Sequence, residues 1–161
     1  MKTKKILRTV IILSIVFINI GCDQVSKKII REKISLNETV SYLNNHLTIT
    51  KVENPGAFLS LGSNLPASPK NIFLALLPIL ALAFGFYYLI TKPNLSRATI
   101  FGLCCIIGGG IGNIFDRLVY GSVTDFLYIH FNFFHTGIFN LADVSIVTGS
   151  LLILLNSLIK K

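Results

Sequence analysis

Four long apolar runs decide what this chain can fold into. A helix needs about 20 mostly apolar residues to cross a bilayer. Four stretches supply them, roughly Leu7–Val25, Ile72–Ile90, Ala98–Phe115 and Gly137–Ile159. The second and third carry no charge, and the fourth carries only Asp143. In hydrocarbon every backbone N–H and C=O must find its partner within the protein, so such stretches become helices. Charged residues make up only 14% of the chain, against roughly 25% in a soluble domain, which excludes a water-soluble globule. The expected class is a membrane all-α protein, four transmembrane helices with a small β-containing outer segment, forming one integral membrane domain over residues 1–161.

Charge placement sets the orientation. Four spans put both termini on one side, and lysine and arginine gather on the cytoplasmic side of a membrane protein. Lys2, Lys4, Lys5, Arg8, Lys92, Arg97, Lys160 and Lys161 share the side of the termini, eight basic residues with no acid among them. The opposite side holds the other seven basic residues and all seven acids. The net charge of +8 is therefore a topology signal, and nucleic acid is not an expected partner. Outside lie two segments, about 28–70 and 117–136. The first contains a strand-like run, His46–Val52. The second is rich in aromatics, among them Tyr120, Phe126, Tyr128, Phe131, Phe133 and Phe134, which favour the membrane–water interface.

The N-terminus also reads as a secretory signal ending in Ile20-Gly21-Cys22, the pattern of a lipoprotein cut before its cysteine. Asn19 stands where an aliphatic residue is usual, and three more spans follow, so the segment is read as a retained first span. Cys104 and Cys105 are adjacent and cannot form an ordinary bridge, and no Cys/His spacing marks a metal site. His46, His130 and His135 lie outside the spans and read as solvated or interfacial. The sequence has no HExxH helix and no GxSxG elbow. Neither a metal nor a cofactor is expected.

The acids carry the chemistry. Asp116 closes the third span, Asp125 follows nine residues later, and Asp143 sits in the first turns of the fourth. All three can converge at one depth near the outer face, among Asn113, Arg117 and Asn140. Charged groups at membrane depth mark function by default. Two adjacent carboxylates share a proton near neutral pH, because repulsion and desolvation raise one pKa. The ionised member can take a proton from water while the protonated member donates to a peptide carbonyl. On the structural reading, Asp116 and Arg117 snorkel or pair at a helix end and Asp143 caps the fourth span. A small transporter or proton relay would instead want acids near the bilayer middle, and a lipid-binding scaffold would not need the aspartates at all.

Five motifs, in order, resemble those of bacterial lipoprotein signal peptidase, the type II signal peptidase. They are Asp23-Gln24-Val-Ser-Lys27, Asn54-Pro-Gly56-Ala57-Phe58, Gly109-Gly-Ile-Gly-Asn113-Ile-Phe-Asp116-Arg117, Gly121-Ser-Val123-Thr-Asp125-Phe126 and Phe139-Asn140-Leu-Ala142-Asp143. The resemblance implies an aspartic endopeptidase of the bacterial inner membrane that cleaves diacylglyceryl prolipoproteins before the lipidated cysteine; membrane lipid is a further expected partner, and a monomer is the expected state. It implies Asp125 and Asp143 as the catalytic pair. Asn54, Gly56, Asn113, Asp116, Arg117 and Asn140 would bind substrate, and Asp23, Gln24 and Lys27 would be structural or positioning residues. The turn-forming Asn54-Pro55-Gly56 and the apolar residues after it are expected to fold over the aspartates as a lid spanning residues 54–62.

Overall fold

The computed structural model describes residues 2–36, 38–57, 62, 66, 70, 72–131 and 133–159. The bundle consists of α1 (Lys2–Lys33), α2 (Leu77–Thr91, entered through a π-helical turn at Ile72–Leu76), α3 (Arg97–Tyr120) and α4 (Leu141–Ile159). Each of the four is long and apolar enough to cross a membrane. Both faces of the expected class are present, because a four-stranded antiparallel sheet joins them. Its strands are β1 (Thr39–Tyr42), β2 (Leu47–Asn54), β3 (Val123–Phe131) and β4 (Phe134–His135), in that order.

Three boundaries move from the sequence reading, and all matter for the site. The first span does not end near Val25 but runs on to Lys33, which puts Lys27 and Arg31 on α1. The third span does not end at Phe115 but runs on to Tyr120, where Gly121 closes it at φ 76° and donates its N–H to Arg117 O. A left-handed residue at that position ends the helix without the steric penalty a side chain would bring. The fourth span starts at Leu141 rather than Gly137. The segment 117–136, expected to lie along the interface because of its aromatics, is in its central part a strand. Val123–Phe131 pairs with β2, and the aromatic content had masked its β-branched and alternating character.

α3 is the central helix and packs against the other three. Glycines let it do so. A Cβ at Gly108 would strike Asn19 on α1, one at Gly109 would strike Ala142 on α4, and one at Gly110 would strike Leu82 on α2. Close approach through small residues replaces the hydrophobic drive that lipid cannot supply. The buried apolar core is Ile12, Val16, Leu89, Cys104 and Ile107. Large apolar side chains such as Phe17, Phe84 and Leu155 are exposed, as helices solvated by lipid require.

Candidate active site

The sheet aims Asp125. Between Ile49 and Val52 the pairing of β2 with β3 shifts by one residue, a bulge that falls beside the Val52–Asp125 pair. Bulges bend a strand and re-aim a side chain. On the other edge of β3, Phe126 and Leu127 both donate to Phe139 O at 3.0 and 2.8 Å, which brings the next residue, Asn140, against the strand. Asp125 then receives two amide donors. Asn140 Nδ2 donates to its Oδ1 at 2.7 Å and Asn54 Nδ2 to its Oδ2 at 2.9 Å.

Asp143 is the third residue of α4 and forms a capping box with Asn140. Asn140 Oδ1 accepts from the Asp143 N–H at 2.9 Å, and Asp143 Oδ2 accepts from the Asn140 N–H at 3.2 Å. Its other oxygen, Oδ1, accepts from Asn113 Nδ2 at 2.9 Å. Capping and chemistry are therefore not alternatives for this residue, since the cap uses mainly one oxygen. Asn140 Nδ2 also donates to Asn113 Oδ1 at 3.2 Å, so one buried amide ties both aspartates and Asn113 together.

Both carboxylates line one cavity of about 330 Å³, with Asn54, Asn113 and Arg117 as its other polar groups and Pro78, Ile146 and Val147 among its apolar walls. Among the described residues neither aspartate makes an ion pair. Burial pushes the Asp125 carboxyl up to about 6; the amide of Asn54 pulls it back and the charge of Asp143 raises it again. Such a carboxyl exchanges protons close to neutral pH.

The loop after β2 is pinned by its own asparagine. Asn54 Oδ1 accepts from the Gly56 N–H at 2.9 Å, while Asn54 Nδ2 also donates to Ala57 O at 3.0 Å. Arg117 holds the same loop from α3, donating through Nη2 to Gly56 O at 3.1 Å. Asn54 thus lies on the same side as the two aspartates. The remainder of the expected lid, including Phe58 and Leu59, lies outside the described residues.

Behind the cavity stands a buried ionic cluster. Lys27 Nζ lies 2.8 Å from Asp23 Oδ2 and 3.0 Å from Asp116 Oδ2, and donates to Asn113 Oδ1 at 2.9 Å. Gln24 Nε2 bridges Asp23 and Asp116, and Asp23 Oδ1 accepts from the Ala142 N–H in the first turn of α4. Asp116 is fully buried and does not snorkel. It pairs with Lys27 and Arg31 rather than with Arg117, and it does not line the cavity, so it sits apart from the substrate-binding set in which the sequence reading placed it.

Arg31, Thr124 and Glu53 were missed. Arg31 lies 2.8 Å from Asp116, donates from Nε to Thr124 Oγ1 at 2.8 Å, and stacks over Tyr120 at 3.9 Å. Thr124 donates in turn to Glu53 Oε1 at 3.0 Å. The signal for Arg31 was present, because Asp23, Lys27 and Arg31 recur every four residues on one helix face.

The comparisons agree with one another. The family model of signal peptidase II matches residues 15–159. Lipoprotein signal peptidase of Borrelia hermsii is 35% identical, covering 91% of this chain and 88% of its own. That of Streptococcus pyogenes serotype M1 is 33% identical, covering 89% and 90%. A solved bacterial membrane enzyme superimposes with a TM-score of 0.81 at 26% identity, covering 91% of this chain and 87% of its own.

Proposed function

The chain belongs to the signal peptidase II family, and on that footing we propose that it removes signal peptides from diacylglyceryl-modified prolipoproteins, cutting before the lipidated cysteine by two-aspartate chemistry. The observation that carries this reading is the shared cavity. It holds Asp125 and Asp143, the amide side chains of Asn54 and Asn113, and Arg117, with apolar walls on α2 and α4. A water held between the carboxylates loses a proton to the ionised member as it attacks the scissile carbonyl carbon. The protonated member donates to the carbonyl oxygen, so the pair as a whole keeps one proton. The C–N bond then breaks as the pair gives a proton to the leaving nitrogen and takes one from the diol, releasing acid and amine. Asn54, Gly56, Asn113, Arg117 and Asn140 hold the pair and the substrate backbone. Asp23, Gln24 and Lys27, joined by Asp116, fix the first turn of α4 and the amide of Asn113.

The protein acts as a monomeric single domain in the bacterial inner membrane, with both termini in the cytoplasm and the cavity near the outer face. The bias of basic residues supports that orientation. The test is incubation of the purified protein with a lipidated prolipoprotein. Asp125→Asn and Asp143→Asn should each abolish cleavage while the protein stays folded. Near-normal turnover by either variant rules out the two-aspartate mechanism.

A further inference from the structure

At the end of the bundle far from the aspartates, α1 and α3 leave a groove of about 440 Å³. Its walls include Leu7, Ile11 and Ile15 of α1 and Phe101 of α3, and its mouth carries Lys4 and Arg97. We propose that this groove binds one acidic phospholipid, with the phosphate between Lys4 and Arg97 and an acyl chain along the apolar wall.

Four observations converge. Both helices begin here, so two positive helix-dipole ends face the groove mouth. Neither helix has an acid in its first turn, and the first acid on each, Asp23 or Asp116, lies 19 residues further on, about 28 Å away at the rise of an α-helix. Cations at a helix N-terminus oppose the dipole, an arrangement that a bound anion relieves. Arg8 lies in the groove wall as well, but it holds the end of α2 by donating to Leu89 O and Lys92 O at 2.7 Å each. Among the described residues no acceptor meets its Nε, and no acid pairs with it or with the cations at the mouth.

Depth fits a lipid. From Lys4 to Ile15 the groove follows α1 for 11 residues, about 16 Å, close to the hydrocarbon depth of one leaflet, about 15 Å. Basic pockets between helices at the headgroup level suit anionic headgroups. A signal peptide fits poorly, because its own leading segment is basic and would be repelled by Lys4 and Arg97.

The experiment is native mass spectrometry of the full chain, titrated with phosphatidylglycerol or with phosphatidylcholine of the same acyl chains. Phosphatidylglycerol should bind roughly 30-fold more tightly than phosphatidylcholine, as about 1 kcal/mol for each of two basic residues implies. Lys4→Gln combined with Arg97→Gln should weaken phosphatidylglycerol binding roughly 30-fold, as expected for two basic residues at the headgroup level, and leave phosphatidylcholine unchanged. Both side chains are exposed, so the double variant should keep its fold. Ile11→Trp, which fills the groove, should weaken both lipids. Millimolar inorganic phosphate should not displace the lipid. Equal affinity for the two lipids, full phosphatidylglycerol affinity in the double variant, or displacement by free phosphate overturns the proposal. So does a dimer whose formation expels the lipid, because a second copy would then own the groove.

Discussion

Replacing Lys27 by methionine removes the cation at the centre of the buried cluster while keeping most of the side-chain volume. Lys27 is completely buried, as are Asp23 and Asp116. Breaking a buried ion pair from one side costs about 3–5 kcal/mol, because a charge is left without compensation. Here the lower figure applies. Asp116 keeps Arg31 at 2.8 Å, and Asp23 keeps donors from Gln24 and the Ala142 N–H. A loss of about 3 kcal/mol corresponds to roughly 6–12 °C in melting temperature for a chain of this size. Thermal unfolding in detergent, followed by intrinsic tyrosine fluorescence, measures it. Adding Asp23→Asn to Lys27→Met removes the stranded charge and should recover more than half of the loss, a coupling that a double-mutant cycle isolates. Activity should fall about tenfold as well, the equivalent of one hydrogen bond, because Asn113 Oδ1 loses a donor that orients its amide toward Asp143. A melting temperature within about 2 °C of the parent, or a double variant no better than the single, would refute the view of Lys27 as the ion that neutralises this cluster.

Further outcomes follow from the same geometry. With Asp125 near 6, the pair keeps its single proton below that pH and loses it above, so cleavage should decline on an alkaline limb centred near pH 6 in a pH–rate profile. Linkage gives stability the same sign. The folded carboxyl binds its proton more tightly than the unfolded one, so this contribution is fully present below about pH 4 and is lost as pH rises through about 6; melting temperatures from pH 4 to 8 should show the slope, and Asp125→Asn should flatten it. Asn54→Ala removes the donor to Asp125 and the acceptor for Gly56, and should slow cleavage far more than it lowers the melting temperature; unchanged kinetics would leave the loop after β2 without a role in the site. A reporter fused after Lys161 or within Lys92–Arg97 should report cytoplasm and one near Lys33 the outer side, and an external C-terminus would sink the proposed orientation.

Hydropathy alone determined the four helices and their order, because lipid leaves a long apolar segment no other way to satisfy its backbone. Local chemistry also gathered Asp116, Asp125 and Asp143 at one depth, and the resemblance singled out Asp125 and Asp143, which line one cavity. The strand at Val123–Phe131 was not legible, because its pairing partner β2 lies some seventy residues earlier and the bulge beside Asp125 exists only once the two strands meet. Nor was the fate of Asp116. Next to Arg117 in sequence it reads as a helix-end pair, yet successive residues on a helix point in different directions. One turns to the cluster of Lys27 and Arg31 and the other to the cavity. Tertiary structure also decided why Gly112 is glycine, since a Cβ there would strike the Asp23 carboxylate. The sequence held the ions and the small residues, but which ion meets which depends on how α1, α3 and α4 pack, and that is a property of three helices together.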